Sequence, residues 1–235
     1  MTESYRRLDS DRIAETARRL ARRIAERFPE SGLARVSRDL VLVVEKAGRD
    51  QDWIQRPIWP LRAVVILAVT ALMAVGVATS VILIQLPAQA SLTDMLQAID
   101  AGVNDVVFLG IAIYFVSTLE TRRKRRRALE ALHALRSMAH IIDMHQLTKD
   151  PERVNRPDAI DTASSPIREL TVFELSRYLD YCSEMLSLLG KSAALYVQSF
   201  SDPVTLAAVN EVEDLTNGLS RKIWQKIMII DRGEA

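Results

Sequence analysis

AVVILAVTALMAVGVATSVILIQL, residues 63–86, runs for 24 positions without a charge. Coiled as an α-helix it would be roughly 36 Å long, enough to cross a hydrocarbon core about 30 Å thick with some tilt. Its polar atoms are cheap to place: Thr70, Thr79 and Ser80 can bond back to their own helix, and Gln85 stands at the end. A chain of 235 residues has too little other apolar mass to enclose so long a rod that is apolar on every side. The stretch reads as a transmembrane helix.

A second apolar stretch, VVFLGIAIYFVSTL at 106–119, would be roughly 21 Å long, short of the hydrocarbon thickness. RRKRRR at 122–127 blocks extension forward. The second span therefore extends backward through Asp105, Asn104, Gly102 and Asp100, and is expected over about residues 99–121. Asp105 then has two readings. An ionisable group at membrane depth is costly and usually faces a bundle interior or water, so in a homo-oligomer Asp105 with Asn104 would line a cation-attracting outer pore. Alternatively the helix starts at Asn104, and Asp105 is a first-turn anion favoured by the helix dipole. Helical spacing puts Gly102, Asp105, Leu109 and Ala112 on one stripe. In the first span Ala74 with Ala78, and Gly76 with Ser80, are small-residue pairs that permit close helix contact.

Basic residues set the expected orientation. Residues 1–62 carry 14 Lys and Arg, and six more stand in a row as Arg122, Arg123, Lys124, Arg125, Arg126 and Arg127, whereas 87–105 carries none and has three acids. The positive-inside rule places both termini in the cytoplasm and the short loop outside. Trp53, Trp59 and Tyr114 are spaced like interfacial aromatics. No cleavable leader pattern occupies the start of the sequence. The basic run reads as a topology anchor, and as a candidate site for anionic lipid headgroups at about 1 kcal/mol per residue. Arginine outnumbers lysine 25 to 6, which suggests a GC-rich bacterial gene and hence a bacterial inner membrane.

The expected fold class is all-α, because no stretch alternates as a strand. Residues 1–57 form N-terminal cytoplasmic amphipathic helices. The first follows Asp9 or Ser10 as N-cap and carries the stripe Ile13, Ala17, Leu20, Ile24 and Phe28. The second runs from Leu33 to Ala47 and stops at Gly48. A transmembrane hairpin occupies 58–121, with spans about 62–86 and 99–121. A basic helical stalk covers 122–149 and a proline-containing linker 150–170. A C-terminal antiparallel hairpin fills 171–235. Its first arm starts at a capping box, Thr171 with Glu174, and carries the seam Leu175, Leu179, Cys182, Leu186, Leu189, Ala193, Tyr196 and Phe200. Its second starts with Asp202 as N-cap and Pro203 behind it.

The composition limits the function classes. With 49% apolar and 26% charged residues, 8 Gly and 8 Pro, the chain is not disordered, collagen-like or low in complexity. Its 31 basic and 30 acidic residues nearly cancel, which excludes a nucleic-acid binder of the usual basic kind. One cysteine, Cys182, permits no internal disulfide. His133, His140 and His145 all fall on the stalk. His133 and His140 are roughly 10 Å apart along a helix, too far to hold one ion, so the three read as packing or proton-sensitive groups in an oligomer and no metal or other cofactor is expected. There is no glycine-rich phosphate loop, GxSxG, HExxH or CxxC, so no catalytic residue is expected.

Two functions remain. The first is an integral membrane, non-enzymatic scaffold whose cytoplasmic helices bind copies of the chain or a cytoplasmic partner, in contact with membrane lipids. The second is a small homo-oligomeric ion channel with Asp105 and Asn104 at the outer pore and the histidine-bearing stalk as gate.

Overall fold

The computed structural model describes residues 7–85, 92–151 and 170–233. The elements are α1 (Ser10–Arg27), α2 (Gly32–Gln55), α3 (Trp59–Gln85), α4 (Leu92–Leu147), α5 (Val172–Ala194) and α6 (Pro203–Gly233). Among the described residues there is no strand. The chain divides into two compact units: residues 56–124, and residues 1–55 together with 125–235.

In the larger unit, local chemistry sets the helix ends. Asp9 Oδ1 accepts from the Asp11 and Arg12 amides at 2.9 and 3.2 Å, which starts α1. Pro29 disfavours helical geometry at Phe28 and closes it. Ile13, Ala17, Leu20, Ile24 and Phe28 are all buried, as their four-and-three spacing requires. Glu30 turns the chain into α2 with a φ of 60°, left-handed backbone that costs a side chain about 1–2 kcal/mol.

Gly48 does not stop α2, which continues to Gln55. A Cβ at Gly48 would lie 3.2 Å from Ser10 Cβ, so the glycine serves close helix approach here. The added turns bury Asp50, Gln51 and Ile54.

From Arg125 onward α4 carries its own buried stripe: Ala128, Leu132, Leu135, Ala139 and Ile142, each at most 2% exposed. What the sequence presents as a stalk is therefore a core helix. The start of α5 is the expected capping box: Thr171 Oγ1 accepts from the Glu174 amide at 3.2 Å, and Glu174 Oε2 accepts from the Thr171 amide at 2.8 Å. The expected seam is buried from Leu175 to Tyr196, but so are Tyr178, Tyr181, Met185 and Leu188 on neighbouring faces. The reason is that α5 packs against α1 and α2 as well as α6. It ends at Ala194, before the expected Phe200. The N-terminal helices, the stalk and the C-terminal hairpin are thus not separate bodies; one apolar cluster joins them. Most of the linker expected at 150–170 lies outside the described residues.

The smaller unit has the opposite pattern. Ile58 carbonyl oxygen accepts from the Leu61 and Arg62 amides at 3.0 and 3.1 Å where α3 begins. Thr70 and Thr79 hydroxyls donate back to the Ile66 and Val75 carbonyls at 2.8 and 2.9 Å. α4 already runs from Leu92, so seven positions of the loop expected at 87–98 are helical. Between Ile54 and Ala128 no described apolar residue is buried.

Leu189→Ala, in the core, should lower unfolding stability by about 2–5 kcal/mol. Thr171→Ala should cost about 1 kcal/mol. Leu67→Ala, on the exposed face of α3, should change neither the helical signal of the larger unit nor its denaturation midpoint. Chemical denaturation followed by circular dichroism in detergent checks all three.

Candidate functional site

The two helices of the smaller unit run antiparallel. Arg62 Nε donates to Glu120 Oε2 at 3.2 Å near one end, and a Cβ on Gly102 would lie 3.8 Å from Thr79 Cγ2 towards the other. A shallow depression of about 390 Å³ between these points is lined by Leu72, Val75, Phe108, Leu109 and Ala112. Both helices expose large apolar side chains. Ile66, Leu67, Met73 and Val77 on α3, and Val103, Phe108, Ile111 and Phe115 on α4, are each more than half exposed. Keeping these eight in water rather than an apolar medium costs on the order of 10 kcal/mol. Both helices are long and apolar enough to cross a membrane.

Asn104 is exposed. The side chain of Asp105 lies outside the described residues, but its backbone does not: α4 begins at Leu92, so Asp105 stands in the helix interior. The reading of Asp105 as a first-turn anion is therefore overturned, since the dipole effect fades within one turn of the end. A Cβ on Gly76 would meet nothing within 4 Å. Trp59 and Tyr114 are 69% and 70% exposed, but Trp53 packs on the core of the larger unit with the Arg127 guanidinium 4.5 Å above its ring.

The basic run divides by helical phase. Arg122 and Arg123 are exposed, Arg122 lying 5.5 Å over the Phe115 ring. Lys124 pairs along its own helix with Glu120 at 2.8 Å, and Arg126 with Glu130 at 2.9 Å. Arg125 and Arg127 turn inward. Arg125 makes a forked contact to Asp202, with Nη2 at 2.6 Å and Nε at 3.0 Å. Asp202 in turn caps α6, accepting from the Thr205 amide at 2.9 Å and its hydroxyl at 2.8 Å. Arg127 Nε donates to the buried Asp50 Oδ1 at 2.7 Å. These two arginines are held by nearly buried carboxylates, whereas Arg122, Arg123 and Arg126 are exposed, Arg126 in a surface pair with Glu130. Sequence periodicity carries that signal: Arg125 and Arg127 flank the α4 core stripe at Ala128.

Burial alone would raise the Asp202 carboxyl. The Arg125 and Thr205 hydrogen bonds outweigh it and hold the group below the ordinary carboxylate range. Its contribution to stability is complete above an unfolded-state pKa of about 4 and is lost as pH falls through the lower folded value.

His133 and His140 are exposed on α4, and His145 is half-buried in its last turn. A Cβ on Gly32 would fall 2.5 Å from His145 Cε1, so the imidazole lies directly on the start of α2. Burial, then the Arg35 and Lys149 charges, lower its pKa. Among the described residues no group of three His, Cys, Asp or Glu is placed to hold a metal. Cys182 is fully buried, and burial pushes its thiol up to about 12, so it is a core residue without nucleophilic character. Nearby, Lys226 Nζ donates to the Gln146 and Lys149 carbonyls at 2.8 and 3.0 Å, capping the end of α4.

The larger unit carries one feature absent from the sequence reading. An open groove of about 1150 Å³ lies between the start of α1, the middle of α5 and the second half of α6. Ile13, Leu188 and Ile227 contribute its floor, and Trp224, 62% exposed, stands beside them. The segment leading into α1 is held at its edge by two bonds: the Leu8 amide donates to Gln198 Oε1 at 2.8 Å, and Gln198 Nε2 donates to the Leu8 carbonyl at 3.1 Å. Trp224, off the apolar stripe of α6 and next to Ser220 and Arg221 in the groove, was the available sequence signal.

Compared with protein families, curated proteins and solved structures, the chain matches none.

Asp202→Ala removes a cap and strands a part-buried guanidinium, and should cost about 3 kcal/mol at neutral pH. The loss should shrink as pH falls below the ordinary carboxylate range of about 4 and the wild-type carboxyl protonates. His145 gives a second dependence: stability should fall as pH drops from about 6.5 towards its lower folded pKa, and His145→Gln should flatten that limb of a stability-against-pH curve. Urea midpoints measured at closely spaced pH values test both.

Proposed function

We propose that the chain is an integral membrane, non-enzymatic helical scaffold. α3 and α4 cross the membrane as a hairpin, and the larger helical unit binds copies of itself or a partner in the cytoplasm. The observation that carries this reading is the contrast between the units. The larger one buries its apolar stripes at nearly every turn, whereas α3 and the first part of α4 leave theirs uncovered, which in water would be an aggregation surface. Basic residues on both flanks support cytoplasmic termini, with the acid-bearing loop between the spans outside. Arg125 and Arg127 support the scaffold by fastening α4 to α6 and α2. A bacterial inner membrane is the location that the arginine-rich composition favours.

A second reading, a homo-oligomeric channel, draws on the place of Asp105 within the α4 interior. Two helices cannot enclose a water path alone, so several subunits would have to surround an axis.

In a Cys182→Ala background, Thr93→Cys should react with an impermeant thiol reagent added outside intact cells. Glu30→Cys and Thr148→Cys should react only after lysis, and the protein should stay in the membrane pellet through alkaline carbonate. Labelling of Thr93 and Thr148 from opposite assignments, or release by carbonate, would overturn the scaffold reading. Purified protein in liposomes should carry no cation flux; a current whose selectivity changes in Asp105→Ala would establish the channel instead.

A further inference from the structure

The groove between α1, α5 and α6 shows an uneven charge account. Its acids are already occupied. Asp9 caps α1 and lies 3.5 Å from Arg12. Asp180 pairs with Arg177 at 2.8 Å, and Glu184 with Arg23 at 2.9 Å. Its other cations are not: Arg7 and Arg221 have no carboxylate within ion-pair distance among the described residues, and Lys191 donates only to Ser187 Oγ at 2.6 Å. Three exposed cations thus edge a strip of Ile13, Leu188, Trp224 and Ile227. At about 1150 Å³ the groove exceeds the usual range for an enclosed small-molecule pocket, and it lies open along its length. Tryptophan and arginine are among the residues enriched at the energetic centres of protein interfaces.

We propose that this groove docks an acidic amphipathic helix of a partner protein. Apolar residues at i, i+3, i+4 and i+7 would lie on the Trp224 strip, and flanking Glu or Asp side chains would meet Arg7, Lys191 and Arg221. The inference rests on the scaffold reading and gives it a partner of defined chemistry. Charge complementarity selects the occupant: a basic helix would face uncompensated like charge, and a purely apolar one would leave the cations unanswered.

The test uses the full chain in nanodiscs of uncharged phosphatidylcholine. The probe is a fluorescein-labelled helical peptide of about 18 residues, with Leu on one face and Glu on its flanks; a second peptide carries Lys for every Glu. Fluorescence anisotropy should show saturable binding of the Glu peptide, one per chain, weakened by about tenfold or more in Trp224→Ala and Arg221→Glu and by raising salt to about 0.5 M. Arg221→Glu should improve binding of the Lys peptide. All of these side chains are exposed, and unchanged thermal melts establish that the variants fold. Absent binding, equal binding of both peptides, or indifference to both substitutions would overturn the proposal. So would displacement of the peptide by phosphatidylserine nanodiscs dependent on Arg221, which would make the ligand a lipid headgroup. Self-association lost in Arg221→Glu would overturn it in favour of a second copy. Retention of every variant in the nanodisc keeps a failure here separate from a failure of the membrane anchor.

Discussion

A helix whose apolar side chains have no protein to cover them must find another apolar medium. α3 and the first part of α4 are in that position, and among the described residues their mutual contact includes a salt bridge, a threonine beside a glycine, and a few apolar groups around a shallow depression. Their exposed large side chains are mostly Val, Ile, Leu, Met and Phe. A lipid bilayer would supply the missing partner on every side at once, and a helix in that setting needs no amphipathic pattern. The larger unit obeys the opposite rule, with each helix apolar on the face or faces it buries.

Much of this was legible beforehand. The charge-free run at 63–86 needs only length and polarity to be read. The Asp9 cap and the Thr171–Glu174 box are local and depend on no distant residue. The α1 stripe is visible because its spacing is strict. What escaped the reading depends on contacts far apart in the chain. Gly48 looks like a stop from propensity alone, yet the helix passes through because Ser10 needs the space a glycine leaves. The inward turn of Arg125 and Arg127 requires knowing that Asp202 and Asp50, each 77 positions away, lie beside them. The groove was invisible for the same reason, being assembled from three separate helices. The site that sequence reasoning placed at Asn104 and Asp105 depended on where the helix starts, and three acids and two polar amides mixed among apolar residues from Leu92 to Asp105 hide that start.

The hexabasic segment shows how one motif can serve two purposes. A block of like charge is ordinarily a solvated patch. Here helical phase sorts it, so that Arg125 and Arg127, on either side of the core stripe, pair with Asp202 at the cap of α6 and Asp50 on α2 while others remain outward. The inward pairs involve nearly buried carboxylates, Asp50 and Asp202. Such pairs contribute little net stability, but losing one partner is costly, so their effect is to specify which helices meet.

Spin-label accessibility along residues 59–85 in liposomes tests the central claim most directly, with labels placed one at a time in a chain lacking Cys182. Collision with dissolved oxygen should exceed collision with a water-soluble nickel chelate at every position from Ala63 to Gln85 and peak near the middle. Nickel access equal to oxygen access through that stretch, or a 3.6-residue alternation between the two, would show that α3 faces water and would contradict the account.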